Sequence, residues 1–122
     1  MARTTLTAHT LPGPYPSLQP AAGSRTVTEA APGTASDGVQ VALVSGKTIL
    51  VVRNTNAGSQ TVTITSAADA QGRTGDITTY SIAAGGIAVF GPFATEGWRQ
   101  SDGMLYAVGS HVDVKFTALN LP

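Results

Sequence analysis

The stretch GRTGDITTYSIAAGGIAVFGPFATEGWR, residues 72–99, decides the fold of this chain. It contains two strand-like segments on either side of a Gly85-Gly86 pair, and it ends close to Trp98, the only tryptophan. A small all-β domain needs a cluster of large apolar groups to form its core. Most of the aromatic residues of the chain lie in this stretch, namely Tyr80, Phe90, Phe93 and Trp98.

The local pattern predicts that this stretch forms a β-hairpin. Residues 76–83 form the first strand, and residues 87–90 run back after the glycine-rich turn at 84–86, where glycine takes positive φ without steric cost. Pro92 ends the second strand because it has no N–H to donate to a sheet. We expect the core of the hairpin to consist of four residues, with the first two on one face: Tyr80, Ile82, Val89 and Phe90.

The remainder of the chain after residue 25 also reads as strands. Alternation with period two indicates half-buried strands at 60–66 and 112–119. Four consecutive aliphatics in residues 48–53 predict a strand that is buried on both faces. Further strands are expected at 26–29, 39–44, 96–100 and 104–109. The sequence therefore predicts, for residues 26–122, one all-β domain: a β-sandwich or jelly-roll-like barrel of about eight short antiparallel strands.

Residues 1–25 differ from the rest and predict an extended, proline-rich N-terminal arm. Four closely spaced prolines exclude a regular helix and favour extended backbone. Ordering such a backbone costs roughly 1–2 kcal/mol per residue, and the arm has few large apolar side chains with which to offset it. We therefore expect the arm to bind a neighbouring subunit. The residues expected to make that contact are Leu6, Leu11, Pro12, Pro14, Tyr15, Pro16 and Leu18.

Composition limits the classes of function. Basic and acidic residues balance at seven each and show no basic cluster, so we expect no nucleic-acid partner. Charged residues make up 11% of the chain, which is low for a freely diffusing monomer and suggests that other subunits cover much of its surface. The absence of cysteine excludes disulfides. The chain has no apolar run long enough for a signal peptide core or a membrane span, so we expect no membrane partner.

No set of residues has the spacing of a catalytic or metal site. Ser110, His111 and Asp113 are close in sequence, but neighbours in a strand point to opposite faces, which works against a triad. Asp69 and Asp76 flank a polar loop and could in principle meet around a calcium ion, although solvated aspartates are far commoner in such loops. We therefore expect a non-enzymatic protein with no cofactor and no metal.

Two aromatic residues leave a binding function open. Trp98 and Tyr106 lie on opposite sides of an Asp102-Gly103 turn. If they pair across a hairpin, they form a platform on which a sugar ring can stack. The alternative is an aromatic pair in the core or at a subunit interface, which the small number of aromatic residues favours. A glycan partner therefore remains the second hypothesis.

The layout of the second half of the chain resembles the capsid decoration, or cement, proteins and head-associated proteins of tailed bacteriophages. The resemblance covers most of residues 48–122 and follows the N-terminal arm. It rests on a strand ending in Arg-Asn, a turn and a Thr-Val-Thr-Ile strand, then a hairpin closed by Gly-Pro-Phe, an Asp-Gly turn and a final strand. The segments concerned are LVVRNTNAGSQTVTITSAAD (50–69), YSIAAGGIAVFGPF (80–93), GWRQSDGMLYAV (97–108) and VDVKFTALNLP (112–122).

This resemblance implies a structural role in the virion. Such proteins are β-sandwiches that sit on the outside of an icosahedral shell, often as homotrimers at local three-fold positions, and they have no catalytic residues. The partners implied are the major capsid protein and other copies of the chain itself, with the arm lying across neighbouring subunits. The implied location is the capsid exterior, after synthesis in the host cytoplasm. Alternatives are a structural protein of the phage tail or neck, and a carbohydrate-binding or host-adhesion module.

Overall fold

The computed structural model describes residues 3–11 and 27–122. These residues form nine strands, a 3-10 turn at Ala35–Asp37 and a single irregular helical turn, α1, at Thr95–Trp98. The strands are β1 (Thr4–Leu6), β2 (His9–Thr10), β3 (Val39–Ala42), β4 (Thr48–Asn54), β5 (Gln60–Thr65), β6 (Ile77–Ile82), β7 (Ile87–Phe93), β8 (Met104–Gly109) and β9 (Val114–Asn120).

The strands form two sheets, and the predicted all-β sandwich is confirmed. The five-stranded sheet has the order β1-β3-β8-β5-β6, and the four-stranded sheet has the order β2-β9-β4-β7. Pairing is antiparallel except at one side, where β1 joins β3 and β2 joins β9 in parallel. Each side of the sandwich is therefore closed by two consecutive strands that lie in different sheets: β1 with β2, and β6 with β7.

The core lies between the sheets and follows from the period-two pattern. In β4 the residues at 48, 50, 52 and 54 point inward and are buried, whereas those between them are partly or fully exposed. Phe116, at the centre of β9, is the largest fully buried side chain. The apolar core consists of Leu6, Val39, Val41, Leu43, Leu50, Val52, Val62, Ile64, Ile82, Phe93, Leu105, Ala107, Val114, Phe116 and Ala118.

The first part of the predicted arm belongs to the sandwich itself. Residues 4–6 pair with 39–41, and His9 and Thr10 pair with the last two residues of β9. The segment therefore contributes one strand to each sheet. Leu6 is 7% exposed and lies in the core cluster. The prediction that Leu6 contacts a neighbouring subunit is therefore wrong, because its side chain is used by its own domain. Residues 12–25 of the predicted arm lie outside the described residues.

The predicted hairpin at 76–90 is wrong in its topology. β6 pairs with β5 in one sheet, and β7 pairs with β4 in the other, so the turn at 83–86 crosses between the sheets. Pro92 does not end β7, which continues to Phe93 through a register shift opposite residues 48–50. Of the four expected core residues, Ile82 is buried and Phe90 is partly buried, but Tyr80 and Val89 are exposed. Tyr80 faces inward beside Val62, yet β6 is an edge strand and leaves its ring half-covered.

Three further strand predictions are corrected. The strand at 48–53 is buried on one face only, because residues 49, 51 and 53 point away from the core. Residues 27–29 form no strand, and the neighbouring Ala30 makes a single bridge to Phe116. Residues 95–98 form α1 instead of a strand, with Gly97 at a φ of 93°.

Candidate functional site

The β6/β7 side is the part of the surface best suited to contact another molecule. We use this name for the free edges of β6 and β7 and for the exposed side chains beside them. Among the described residues, β6 pairs only with β5, and β7 pairs only with β4. Residues 77–95 contain no charged residue. The side therefore combines unpaired strand edges with an uncharged surface.

Apolar side chains are unusually exposed on this side. Ile87 and Val89 are 62% and 64% exposed, and both point outward from the four-stranded sheet, since their cross-strand neighbours are the outward residues Arg53 and Val51. Tyr80 is 50% exposed and packs edge-on against Phe90, with ring centroids 5.3 Å apart. This ring pair spans the two sheets and closes the side of the core. Exposed apolar groups that cluster in this way mark contact surfaces more often than single exposed residues do.

Buried Asn54 fixes the turn that joins β6 to β7. Its Nδ2 donates to the carbonyls of Gly58 and Ile82, both at 2.9 Å, and its Oδ1 accepts from the backbone N–H of Asn56. Its own N–H donates to the carbonyl of Gly86. Because every polar group of the side chain is hydrogen-bonded, Asn54 links the loop at 55–58 to the crossing between β6 and β7. The strand predicted at 48–53 stops one residue before Asn54, although its position in phase with residues 48, 50 and 52 marks it as inward.

A second candidate surface is a groove on the outer face of the four-stranded sheet, with a volume of about 480 Å³. Its floor is formed by Val51, Thr117 and Leu119, and Glu29 and Arg53 form a wall. The Arg53 guanidinium donates to both carboxylate oxygens of Glu29, with Nε 2.8 Å from Oε2. These hydrogen bonds lower the pKa of Glu29. Thr117 on the floor is 6% exposed, and the two charges of the wall are paired with each other.

The predicted sugar platform is not formed. Trp98 is partly buried and packs against Phe93, with ring centroids 5.1 Å apart. Tyr106 contacts different groups: the Arg3 guanidinium lies 3.7 Å from its ring centroid, and its hydroxyl donates to Asp102 at 2.6 Å. The rings of Trp98 and Tyr106 are therefore held by separate partners, one beside the core and one on the surface.

The Arg3–Tyr106–Asp102 cluster was not anticipated from the sequence, which gives no sign that Arg3 reaches the loop before β8. The hydroxyl of Tyr106 lowers the pKa of Asp102, and the carboxylate in turn raises the pKa of Tyr106. The cation–π contact attaches the N-terminal segment to β8. This cluster attaches the N-terminal segment to the surface of β8, and its one acidic group, Asp102, is already hydrogen-bonded to Tyr106.

The residues around His111 do not form a triad. Ser110 Oγ donates to Gln60 and accepts from the N–H of Thr61. His111 Nδ1 accepts from the backbone N–H of Asp113. The serine and histidine side chains therefore serve different elements of a polar turn, and neither is aligned to activate the other.

The two aspartates of the 67–75 loop are also occupied separately. Asp69 accepts from the backbone N–H groups of Gln71 and Arg73 and from the Arg73 side chain, and these bonds lower its pKa. Asp76 accepts from the hydroxyl and the N–H of Ser66, which lowers its pKa. Within residues 3–11 and 27–122, no group of three or more histidine or acidic side chains is placed to hold a metal ion.

The remaining residues predicted to contact a partner have mixed outcomes. Leu11 is partly buried, and its N–H donates to the carbonyl of Asn120, which extends the pairing of β2 with β9. The other five lie outside the described residues: Pro12, Pro14, Tyr15, Pro16 and Leu18. In the part of the chain that the structure describes, no helix is both long and apolar enough to cross a membrane.

Comparison with known proteins gives no relative for this chain. No protein family, no curated protein and no solved structure matches it. The functional argument therefore rests on the residues and on their geometry.

Proposed function

We propose that this chain is a non-enzymatic structural protein of a tailed-phage virion, and specifically a decoration protein that binds the outside of the capsid lattice and stabilises it. The observation that carries the proposal is the β6/β7 side, an uncharged strand edge lined by exposed Ile87, Val89 and Tyr80. A surface of this kind suits burial against another protein subunit better than it suits exposure to water.

The mechanism of stabilisation is mass action. A protein that binds the assembled lattice and not the free subunits makes disassembly less favourable, by an amount that grows with its concentration and affinity. Many copies on one symmetric shell add avidity, so that modest contacts per copy suffice. A small sandwich with an ordered apolar core fits this role, since the sandwich itself needs little ordering on binding.

The contact with the shell is assigned to the proline-rich part of the arm. Leu6 is removed from that assignment because it is buried in the core. The assignment falls on residues 12–25, including Tyr15 and Leu18. Proline restricts the unbound backbone, so less entropy is lost when such a segment binds.

Quantitative mass spectrometry of purified virions tests the role. We expect a copy number comparable with that of the major capsid protein. A few copies per particle would instead support a neck or tail location, and absence of the protein from intact virions would overturn the virion role.

A second experiment tests stabilisation by the arm. Capsids that lack the protein are mixed with the wild type or with a Tyr15→Ser, Leu18→Ser double variant, and their thermal disassembly is followed. We expect the wild type to raise the disassembly temperature and the double variant to lose most of that effect. Val44→Ser, at an exposed valine elsewhere, is the matched control and should behave as wild type. Equal stabilisation by all three proteins would remove the arm from the mechanism.

A further inference from the structure

The edge of β7 is a regular strand edge with nothing paired to it among the described residues. From Ile87 to Phe90, β7 pairs residue for residue with Arg53 to Leu50 of β4. Alternate N–H and C=O groups of an edge strand point away from its neighbour, and those of β7 meet no other strand in the described part of the chain. The edge of β6 is less suitable, because a bulge at Thr79, with a φ of 46°, interrupts it.

Natural edge strands usually carry protection against pairing with another chain, and residues 87–90 of β7 carry none. Typical protection is a charged side chain, a proline, a bulge or a very short strand. Gly91 and Pro92 interrupt the far end of β7, but the segment before them has no charge, no proline and no register shift. Ile87 and Val89 stand exposed on its outer face.

We infer that a second copy of this chain pairs with this edge. The two β7 strands run antiparallel about a two-fold axis perpendicular to the four-stranded sheet, and the two sheets join into one of eight strands. This inference goes beyond the proposed function and does not depend on it, since the surface is present whether or not the chain binds a capsid.

Self-complementarity favours a second copy over an unrelated partner. A two-fold contact places each side chain close to its own counterpart, so that a charged residue near the axis would face a like charge. Residues 77–95 contain no charge that could oppose this arrangement. A pairing centred on Ala88 sets Ile87 of each copy opposite Val89 of the other, on one outer face. Tyr80 and Phe90 then lie at the border of the contact.

Sedimentation equilibrium over a range of concentrations tests the pairing. The wild type is expected to reach twice the mass of one chain. Val89→Lys introduces like charges near the axis at a position that is 64% exposed, and it should weaken association by at least about tenfold. Val44→Lys, the same substitution at an exposed valine outside β7, is the matched control and should leave the dimer unchanged.

A cross-linking experiment covers the case in which Val89→Lys fails to fold. The chain has no cysteine, so a single Val89→Cys or Val44→Cys substitution gives one reactive site. A short bis-maleimide is expected to join two copies through position 89 and not through position 44. A monomeric wild type at all concentrations, a trimer whose mass Val89→Lys does not change, or equal cross-linking at both positions would overturn the inference. All these measurements are made without capsids, so they separate this inference from the proposed function.

Discussion

The two sides of the sandwich close in opposite ways. On the β1/β2 side, by which we mean the edge strands β1 and β2 and the residues between them, the strands are three and two residues long. On the β6/β7 side they are six and seven residues long. In both places consecutive strands cross from one sheet to the other. The short strands offer little backbone to another chain, whereas the long strand β7 offers four regular residues.

The difference also extends to the side chains. On the β1/β2 side, Leu6 is buried, Arg3 lies over the ring of Tyr106, and Thr5 accepts a hydrogen bond from Gln40. On the β6/β7 side, Ile87 and Val89 have no such internal use. The β1/β2 side therefore completes the fold, whereas the β6/β7 side leaves a strand edge and apolar side chains exposed.

The largest effect is expected from Leu6→Ala on the β1/β2 side. If this side completes the fold, loss of a buried leucine should lower the free energy of unfolding by about 2–4 kcal/mol. Urea denaturation measures the change. Leu6→Met, which conserves volume, should cost less than about 1.5 kcal/mol. A cost for Leu6→Ala no greater than that of the methionine variant would show that the N-terminal strand does not support the core.

The next effect is expected from Asn54→Ala, which removes the polar anchor of the crossing at 83–86. Leaving the buried carbonyl of Ile82 without its donor should cost about 1–3 kcal/mol in chemical denaturation. Ser59→Ala is the control, since Ser59 is exposed and lies in the same loop. Faster amide hydrogen exchange in β7 of the Asn54 variant would show that this residue holds the edge rigid. Unchanged exchange together with unchanged stability would remove Asn54 from that role.

A smaller effect is expected from Tyr80→Ala, which opens the β6/β7 side of the core. The ring is half-exposed, so the loss is mainly that of its edge-on contact with Phe90, or about 0.5–1.5 kcal/mol. Thermal or urea denaturation gives the value. Tyr80→Phe keeps the ring and should be nearly neutral. A loss as large as that from Leu6→Ala would mean that the two sides support the core equally.

The smallest effect on stability is expected from Asp76→Asn, because Asp76 is hydrogen-bonded to Ser66 and so attaches the start of β6 to that residue. Its pKa is lowered in the folded state, so the stabilisation is present above the unfolded pKa of about 4 and is lost as pH falls through the folded value. Asp76→Asn should therefore lower Tm slightly at pH 7, where the wild-type carboxylate is charged, and should flatten the decrease of Tm below about pH 4. Asp37→Asn is the control. If Tm of Asp76→Asn falls with pH below about pH 4 as steeply as Tm of the wild type, Asp76 does not supply this stabilisation.

Much of the fold follows from local pattern, but its pairing does not. Alternating side chains located β5 and β9, because period two records which face is buried. The glycine-rich turn at 84–86 was read as a hairpin turn, yet it crosses between the sheets. A turn sequence specifies only that the chain changes direction. Which strand each flanking segment pairs with depends on distant strands, here β5 for β6 and β4 for β7. The same limit explains the wrong prediction for Val89, since whether its side chain faces the core depends on which sheet contains β7.

The candidate surface was partly visible in the sequence. The uncharged run at 77–95 can be read directly from the sequence, and the low overall charge already suggested covered surfaces. The attachment of Arg3 to Tyr106 and the burial of Leu6 could not be read from it. Both depend on residues near the N-terminus meeting strands that lie far along the chain, and no local pattern records such a meeting.

The pairing of β2 with β9 has a consequence for the order of synthesis and folding. His9 and Thr10 find their partners only at Leu119 and Asn120, so β2 is made early and cannot pair until β9 has been made. A ribosome-bound chain exposes the N-terminal segment until nearly all later residues have emerged, and non-local pairing of this kind slows folding. We expect protease cleavage near the N-terminus to decline only after β9 is released from the ribosome, which makes that segment a natural reporter of completed folding.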